Sequence, residues 1–365
     1  MRASPPLRVW VLSDDQPGHY NLSRGIVAAL RRIQPVQESW VTMELRAGLG
    51  RNILRAYLNR VHRPAALVWL RLFYKMNPFP AQACDLIVSA GGKTSFANAW
   101  LAKCMDVPNV YAGSLRRLSS QLFSVVLTRQ PVNAAAANLL LDLPPSAIDF
   151  DDLQIQGERF LKQLGLGEQR CWTLLLGGDG AGYQYRRQDW QTLARVMNAL
   201  ARRSGIRWLL VSSRRTGKRA GQVLRQNLDK KFVAAQSWYE EGDKFRIEAW
   251  LGAAERVFVT EDSMTMLTEA IYSRRPVASV RPEQAAPTDR YERMMQGFAD
   301  SGYLCRYALT ELSQRPELLE SRQCRVLEES PLDDLAEQLG KRLGLIETPG
   351  RNIKRKDRVR PPAGS

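Results

Sequence analysis

The sequence has few of the residues that bind metal ions or form disulfides. Its 365 residues include only two histidines and five cysteines, and no two cysteines form a C-x-x-C pair. The cysteines are Cys84, Cys104, Cys171, Cys305 and Cys324. Zinc sites and disulfide frameworks need closely spaced ligands or paired cysteines. We therefore expect no metal site and no disulfide framework, and we expect cysteines beside apolar strands to act as small buried hydrophobic residues.

Long apolar runs are also missing. No stretch reaches the roughly 18 uninterrupted apolar residues of a membrane-spanning helix. The N-terminal segment MRASPPLRVWVLSDD has too short an apolar part for a signal peptide and leads directly into Asp14 and Asp15. These absences predict a cytoplasmic protein.

Acidic residues are outnumbered by basic ones. Lysine and arginine total 53 against 37 aspartates and glutamates, for a formal net charge of +16. Such an excess predicts an acidic partner, which can be nucleic acid, anionic lipid or a phosphorylated substrate. The sequence contains no RNP motif and no zinc-finger spacing, so we do not expect nucleic-acid binding.

Apolar segments and glycine-rich turns alternate along both halves of the chain. We predict strands at 7–13, 36–43, 85–90, 107–113, 122–128, 171–178, 206–213, 256–262 and 275–280. Helical patterns follow at 23–33, 96–105, 188–203, 263–274 and 333–344. Repeated strand-turn-helix units are typical of parallel sheets covered by helices on both faces. The length and the repetition together predict an α/β protein with two Rossmann-like domains.

A Pro- and Asp-rich segment at 142–152 interrupts this alternation. We place the domain boundary close to it, with an N-terminal domain at 1–155 and a C-terminal domain at 156–345. Residues 346–365 are basic and contain prolines, which predicts a disordered tail.

The strongest candidate for ligand binding is the turn Gly177–Tyr183, directly after an apolar strand. Gly178 and Gly180 have no side chains, so the backbone at these residues and at Asp179 between them can come close to phosphate oxygens beside a helix N-terminus. A tight turn that binds nothing is the alternative. The spacing differs from G-x-G-x-x-G, so NAD is not favoured and no cofactor is predicted.

Two further turns in the second half follow predicted strands. Ser213 and Arg214 offer a hydroxyl and a guanidinium to a diphosphate, unless they belong to an ordinary solvated loop. Asp262 or Ser263 is expected to cap a predicted helix, whose N-terminus can face phosphate together with the Ser263 and Thr265 hydroxyls. Glu269, further along this helix, can bind a ribose diol. Helix capping with an exposed Glu269 is the alternative.

The first half supplies two comparable turns. His19 and Asp15 follow the first strand, where an imidazole or a carboxylate can serve as general base, although a structural His19 is equally compatible with the sequence. Gly92, Lys93 and Thr94 resemble a phosphate-binding turn but lack the full pattern G-x-x-x-x-G-K-[ST], so an ATPase is not favoured.

The segment 60–79 mixes aromatic, aliphatic and basic residues. That mixture predicts either an interfacial helix on a membrane or a buried helix with basic edges. Together with the basic tail, it favours peripheral contact with an anionic membrane surface.

Taken in order, several motifs resemble the bacterial branch of the mitochondrial-fission Elm family. They are SDDQPGHYNLSRGIVAAL, VSAGGKTS, YAGSLRR, LLLGGDGAGY, VSSRRTG and FVTEDSMTMLTEA, and they extend over residues 7–280. The resemblance implies the glycosyltransferase-B (GT-B) superfold, with a cleft between two Rossmann-like domains and no bound divalent metal.

This resemblance also implies roles for individual residues. The donor pocket in the C-terminal domain would be lined by Gly178, Gly180, Ser213, Arg214, Ser263 and Glu269. His19 would match the base of some inverting relatives, and Gly18, Gly92, Lys93 and Thr94 would lie on the acceptor side.

The function predicted on this basis is a nucleotide-sugar-dependent glycosyltransferase that acts on a membrane-associated glycolipid such as the lipopolysaccharide core. Its place would be the inner face of the cytoplasmic membrane. Two alternatives stay open, a sugar-nucleotide 2-epimerase of the same superfold and a non-catalytic membrane adaptor.

Overall fold

The computed structural model describes residues 5–46, 50–61, 69–129, 131–132, 137–242, 246–321 and 324–346. The predicted disordered tail therefore lies, apart from Ile346, outside the described residues. The chain divides into two compact units that do not follow chain order. Described residues of 5–15, 27–141 and 332–346 belong to the first unit, and those of 16–26 and 142–331 belong to the second.

The first half of the chain alternates strands and helices as predicted. Its elements are β1 (Leu7–Ser13), α1 (Pro17–Ile33), β2 (Val36–Leu45), α2 (Gly50–Arg60), α3 (Leu70–Phe73), β3 (Tyr74–Met76), β4 (Leu86–Ala90), α4 (Ser95–Met105), β5 (Asn109–Ala112), β6 (Val125–Thr128) and β7 (Asn138–Leu140).

The seven strands form one sheet in the order β3-β2-β1-β4-β5-β6-β7. Only the short edge strand β3 runs antiparallel to its neighbour. All residues of β4 and β5 are buried, as expected of central parallel strands with both faces covered. Because chain order reverses at β1 and β4, the turns after these strands flank the switch point where such sheets bind ligands.

The second half supplies the remaining elements. They are α5 (Phe150–Gln163), β8 (Cys171–Leu176), β9 (Tyr183–Gln184), α6 (Arg187–Ser204), β10 (Arg207–Ser212), α7 (Gly217–Asn227), β11 (Val233–Ser237), α8 (Ile247–Gly252), β12 (Arg256–Thr260), α9 (Met264–Tyr272), β13 (Val277–Arg281), β14 (Gln284–Ala285), α10 (Asp289–Asp300), β15 (Cys305–Ala308), α11 (Leu309–Gln314), α12 (Leu318–Ser321) and α13 (Pro331–Leu343).

The second sheet has six strands in the order β11-β10-β8-β12-β13-β15, and all its pairings are parallel. Its core contains Trp172, Trp208 and Phe258, whose ring centroids lie 5.2 to 5.8 Å apart. The switch point of this sheet lies at β8, between β10 and β12. The fold is thus α/β with two Rossmann-like, parallel-stranded units of the GT-B type, while the predicted boundaries at 155 and 345 stay predictions.

Helix α1 begins six residues earlier than the predicted start at Ser23. Its first residue is Pro17, which needs no hydrogen-bond acceptor at this position because the first amides of a helix have no partner within it. Gly18 and His19 therefore lie in the first turn of a helix and not in a loop.

The predicted helix over 60–79 is wrong where the structure describes it. Residues 62–68 lie outside the described residues. Arg60 ends α2, residues 70–76 divide between α3 and the strand β3, and residues 77–79 belong to no helix or strand. Tyr74 is buried and pairs in register with Leu45 of β2, so burial on the sheet edge overrides the helical pattern. Among the described residues, no helix is long and apolar enough to cross a membrane.

The cysteines follow the prediction only in part. Cys84 and Cys171 are buried single thiols, as expected. Cys305 and Cys324, by contrast, form a disulfide across 19 residues, because the chain after α12 returns to β15.

Candidate functional site

Three turns of the second unit lie side by side at the carboxyl edge of its sheet. They follow β10, β8 and β12, which are adjacent strands. Gly177, after β8, is hydrogen-bonded to both other turns. Its amide donates to the Thr260 hydroxyl at 2.6 Å, and its carbonyl accepts from the Thr216 hydroxyl at 2.6 Å. These bonds hold the three strand ends together at the position where open parallel sheets bind ligands.

An arginine lies across this edge. The Arg215 guanidinium donates to Asp262 Oδ2 from Nε at 3.0 Å and from Nη2 at 2.7 Å. A Cβ placed on Gly180 would come within 3.3 Å of Arg215 Nε, so the arginine side chain packs against the Gly177–Gly180 turn. The guanidinium is a planar donor that can pair with the oxygens of a phosphate.

Two glycines of the turn are required by contacts within the protein. A Cβ on Gly177 would lie 2.2 Å from Asp262 Oδ1, and a Cβ on Gly178 would lie 2.1 Å from the Arg215 carbonyl oxygen. Real Cβ atoms do not approach that closely, so neither position accepts a side chain without movement. These glycines allow the three turns to pack together, whether or not a phosphate binds there.

Asp262 is an acidic group held inside the protein. Its side chain is fully buried, whereas 41% of the Arg215 side chain is exposed. Burial raises the pKa of the Asp262 carboxyl, and the Arg215 charge and nearby hydrogen-bond donors oppose that rise. Asp262 therefore fixes the position of a cation that solvent can reach.

The other candidates of these turns occupy different positions. The Asp179 carboxylate accepts from the Tyr185 amide at 2.8 Å, and the Ser213 hydroxyl accepts from the Arg215 amide at 3.2 Å. Ser263 is buried at the start of α9, and its side chain makes no capping bond. Arg214, the predicted diphosphate ligand, is exposed, and its neighbour Arg215 is the arginine that packs on the glycine turn.

A second feature of this unit is a cavity of about 200 Å³ between the start of α1 and α9. It is lined by Gly18, His19, Asn21, Leu22, Pro144, Pro145, Ser146, Met264, Thr265, Thr268, Glu269 and Met294. The structure thus brings the predicted base and the predicted ribose ligand to one cavity. A Cβ on Gly18 would lie 3.7 Å from Thr265 Oγ1, which shows how closely α1 and α9 approach each other here.

Glu269 is the principal acidic group of this cavity. Its Oε1 accepts a hydrogen bond from Asn21 Nδ2 at 3.0 Å. Burial, supported by repulsion from Glu248, raises the pKa of Glu269 to about 7, and the Arg24 charge opposes the rise. A carboxyl with this pKa can both take up and release a proton near neutral pH.

The predicted acceptor-side residues of the first unit meet at the turn after β4. The Thr94 hydroxyl donates to the carbonyls of Ala90 and Gly91, both at 2.9 Å, so it shapes the turn. A Cβ on Gly92 would fall 1.8 Å from Arg116 Nε, so the Arg116 side chain covers this glycine. Lys93 is exposed beside them, and the turn is therefore rich in positive charge.

Asp15, the second candidate base, also belongs to the first unit. Its Oδ1 accepts from the Thr42 hydroxyl at 3.4 Å, and its backbone has a left-handed φ of 56°. Asp15 is not among the residues that line the cavity with His19 and Glu269.

A larger cavity of about 620 Å³ lies elsewhere in the second unit, along α10 and β15. Three of its four charged lining residues already bind one another, since Arg306 donates to Glu261 Oε1 at 2.8 Å and to Glu292 Oε1 at 2.7 Å. The Glu261 side chain is fully buried in this network. We therefore assign the network to stability and not to ligand binding.

Within the described residues, no group of three or more His, Cys, Asp or Glu side chains is arranged to hold a metal ion. The functional groups at the glycine turn and at the α1–α9 cavity of the second unit are cations, hydroxyls, carboxyls and an imidazole.

The order of the motifs and the two sheets can now be compared with known proteins. The family model described as Mitochondrial fission ELM1 matches residues 17–343. The chain belongs to this family. The match covers the second sheet, the glycine turn, the cavity at α9 and the first sheet from β2 onward in this ELM1-family protein. A search of curated proteins gives no match.

Two solved structures with TM-scores above 0.5 share the fold of this ELM1-family chain at low sequence identity. UDP-GlcNAc 2-epimerase from Methanocaldococcus jannaschii aligns with a TM-score of 0.55 and 13% identity, covering 93% of this chain and 99% of the epimerase. A UDP-N-acetylglucosamine 2-epimerase from Listeria monocytogenes aligns with a TM-score of 0.51 and 12% identity, covering 91% of each chain. ADP-heptose LPS heptosyltransferase II from E. coli aligns with a TM-score of 0.46 and 11% identity, covering 92% of this chain and 98% of the heptosyltransferase.

Sequence reasoning identifies these sites only in part. It predicts Asp262 only as a possible helix cap and favours Arg214 over its neighbour Arg215, because the sequence does not show which of two adjacent side chains faces a turn. Asn21 gave no signal of its own, since its partner Glu269 is 248 positions away.

Proposed function

We propose that this protein is a nucleotide-sugar-dependent glycosyltransferase that acts on a membrane-associated glycolipid such as the lipopolysaccharide core. The observation that carries the proposal is the Arg215 guanidinium, held by the buried Asp262 against the glycine turn at the switch point of a parallel sheet. A diphosphate placed there would meet a fixed cation at the position where such sheets bind ligands.

The fold supports a sugar nucleotide as donor. The similar Methanocaldococcus jannaschii epimerase is described in complex with UDP-GlcNAc and UDP. By analogy of fold alone, we assign the donor to the second unit of this chain. Gly178, Gly180 and Arg215 would face the diphosphate, and Glu269 would lie near the ribose or the reacting sugar.

In the proposed reaction an acceptor hydroxyl oxygen bonds to the anomeric carbon of the donor sugar. The bond from that carbon to the diphosphate breaks, and its electron pair leaves with the nucleoside diphosphate. Arg215 would stabilise the charge that develops on the leaving group, an effect worth several kcal/mol in comparable oxyanion sites, on the order of 3. His19 would accept the proton from the hydroxyl, with Asn21 and Glu269 beside it.

The positively charged turn of the first unit suits an acidic acceptor. Lys93 and Arg116 lie at that turn. A 2-epimerase would instead need additional carboxyl groups for its proton transfers, whereas Glu269 is the one carboxyl that lines the cavity with His19 among the described residues. We therefore favour transfer over epimerisation. The inner face of the cytoplasmic membrane is the proposed place of the reaction.

Calorimetric titration with UDP, GDP, ADP and CDP tests the donor site directly. We expect one of them to bind in the micromolar range, and binding of none would overturn the proposal. Sugar nucleotides of the base that binds are then incubated with and without a lipopolysaccharide core acceptor. Turnover that needs the acceptor supports a transferase, whereas interconversion of the sugar without acceptor would identify an epimerase.

A further inference from the structure

Three large apolar side chains stand exposed close together in sequence in the first unit. Ile53 in α2 is 57% exposed, Trp69 before α3 is 52% exposed and Leu72 in α3 is 62% exposed. Among the described residues only five large apolar side chains are more than half exposed, and these three form the main group in the first unit. We call Ile53, Trp69 and Leu72 the apolar patch.

The two helices that carry the patch are fixed side by side. Tyr57 of α2 and Phe73 of α3 both contact the Trp100 ring of α4, with centroid distances of 5.1 and 6.3 Å. A Cβ on Gly50, the first residue of α2, would lie 3.3 Å from the Phe73 ring. Because both helices pack on the same tryptophan, α2 and α3 are neighbours, and the exposed Ile53, Trp69 and Leu72 lie on these neighbouring elements.

The charges around the patch have one sign. Neither α2 nor α3 contains an aspartate or glutamate, while Arg51, Arg60 and Arg71 are exposed on them. Lys75 of β3 is also exposed, but it lies opposite Glu44 in the strand register. Apolar side chains surrounded by arginines match the boundary between acyl chains and anionic headgroups.

We propose that the apolar patch and its arginines form the surface by which this protein docks on anionic lipid bilayers. Trp69, Leu72 and Ile53 enter the boundary region, and Arg51, Arg60 and Arg71 contact the headgroups. The inference deepens the membrane partner of the proposed function, but it depends only on this surface and not on the transfer reaction.

Vesicle co-sedimentation of the full chain tests the surface. Vesicles of phosphatidylcholine with about 30% phosphatidylglycerol are compared with pure phosphatidylcholine, at about 0.1 M and about 0.5 M salt. We expect binding to the anionic vesicles, weakened at least tenfold by the high salt, and at least tenfold weaker binding for Ile53→Ser/Trp69→Ser/Leu72→Ser. The charge variant Arg51→Glu/Arg71→Glu should lose binding to a similar extent.

Ile155→Ser is the matched control, because Ile155 is also 57% exposed but lies in the second unit. It should bind vesicles like the wild type. Brominated lipids should quench the fluorescence of Trp69. The quenched fraction of the protein's tryptophan fluorescence should therefore fall in Trp69→Phe. Thermal unfolding of every variant shows that the fold is retained.

Three results would overturn the proposal. One is failure of the wild type to bind anionic vesicles. Another is equal binding by the triple variant, which would move the contact elsewhere, for example to the basic residues 351–365. The third is a dimer in sedimentation velocity that the triple variant abolishes, which would make the patch a contact between two copies. Nucleoside diphosphate binding is measured separately, so its failure would affect only the proposed function.

Discussion

Arg215 donates two hydrogen bonds to a single oxygen of Asp262, one from Nε at 3.0 Å and one from Nη2 at 2.7 Å. The carboxylate is fully buried and the arginine is partly exposed. A buried carboxylate that holds an exposed guanidinium is an arrangement that fixes a cation for an anionic ligand, and it costs desolvation that a purely apolar core would avoid. We therefore expect binding of an anionic ligand to depend on both residues.

Removing either member of the pair should weaken binding of nucleoside diphosphate. A hydrogen bond to a charged group contributes about 1.5–3 kcal/mol, so Arg215→Ala should lower the affinity about 10- to 100-fold. Asp262→Asn should lower it about tenfold, because the guanidinium loses its anchor. The double variant should be no weaker than Arg215→Ala, since the two residues act through one contact.

Arg214→Ala is the control for this experiment, because Arg214 is an exposed neighbour, whereas Arg215 is the arginine that is bonded to Asp262. Its affinity in calorimetry should stay within about twofold of the wild type. Equal losses for Arg214→Ala and Arg215→Ala would show that only the general positive charge of the loop matters.

Gly178 and Gly180 should respond differently to alanine. A Cβ on Gly178 would lie 2.1 Å from the Arg215 backbone carbonyl, which cannot move without displacing the turn. Overpacking of this kind costs about 1–3 kcal/mol, so Gly178→Ala should lower the urea midpoint of unfolding. At Gly180 the nearest atom is Arg215 Nε at 3.3 Å, a contact that a shift of a few tenths of an ångström relieves, so Gly180→Ala should change the midpoint little. Similar losses in both variants would contradict this account.

Much of the fold could be predicted because its signals are local. The strand predicted at 7–13 is β1, and the predictions at 171–178, 206–213 and 256–262 end within two residues of β8, β10 and β12. Apolar runs that end in glycine or hydroxyl residues mark buried parallel strands without any knowledge of tertiary contacts. The turns at the carboxyl ends follow from the same pattern.

The site could be predicted only to the nearest turn. Asp262 and Arg215 are 47 residues apart, and their contact depends on β10, β8 and β12 being neighbours in the sheet. The absence of a side chain at Gly177 is explained by Asp262, a contact that no local pattern reveals. The start of α1 could have been found, because Pro17 is a typical first residue of a helix.

Glu269 should make stability depend on pH. Its pKa is raised to about 7 in the folded protein, from near 4.5 when unfolded. Between these values the folded state holds a proton that the unfolded state has released, so stability falls as pH rises from about 4.5 to about 7 and is level above that. Glu269→Gln should remove this slope and should exceed the wild type in stability above pH 7, by at most about 3 kcal/mol.

Urea unfolding at a series of pH values from 5 to 8 measures this effect. Glu248→Gln removes the like charge that helps to raise the pKa of Glu269. In this variant the fall of stability with pH should therefore level off at a lower pH than in the wild type. Glu158→Gln, on an exposed position of α5, should follow the wild-type curve. A Glu269→Gln curve parallel to the wild type would contradict the raised pKa.

His19 and Glu269 line the same cavity, and their variants should separate proton transfer from donor binding. A general base contributes about 10²–10⁴-fold to turnover, so His19→Ala should lower transfer by at least 100-fold while nucleoside diphosphate affinity stays within about twofold. If Glu269 binds the ribose, Glu269→Gln should instead lower that affinity, because an amide replaces a carboxylate acceptor. Tyr20→Phe, at the exposed residue beside His19, is the control that should change neither quantity. Loss of turnover with unchanged affinity in Glu269→Gln, and normal turnover in His19→Ala, would reassign the base to Glu269.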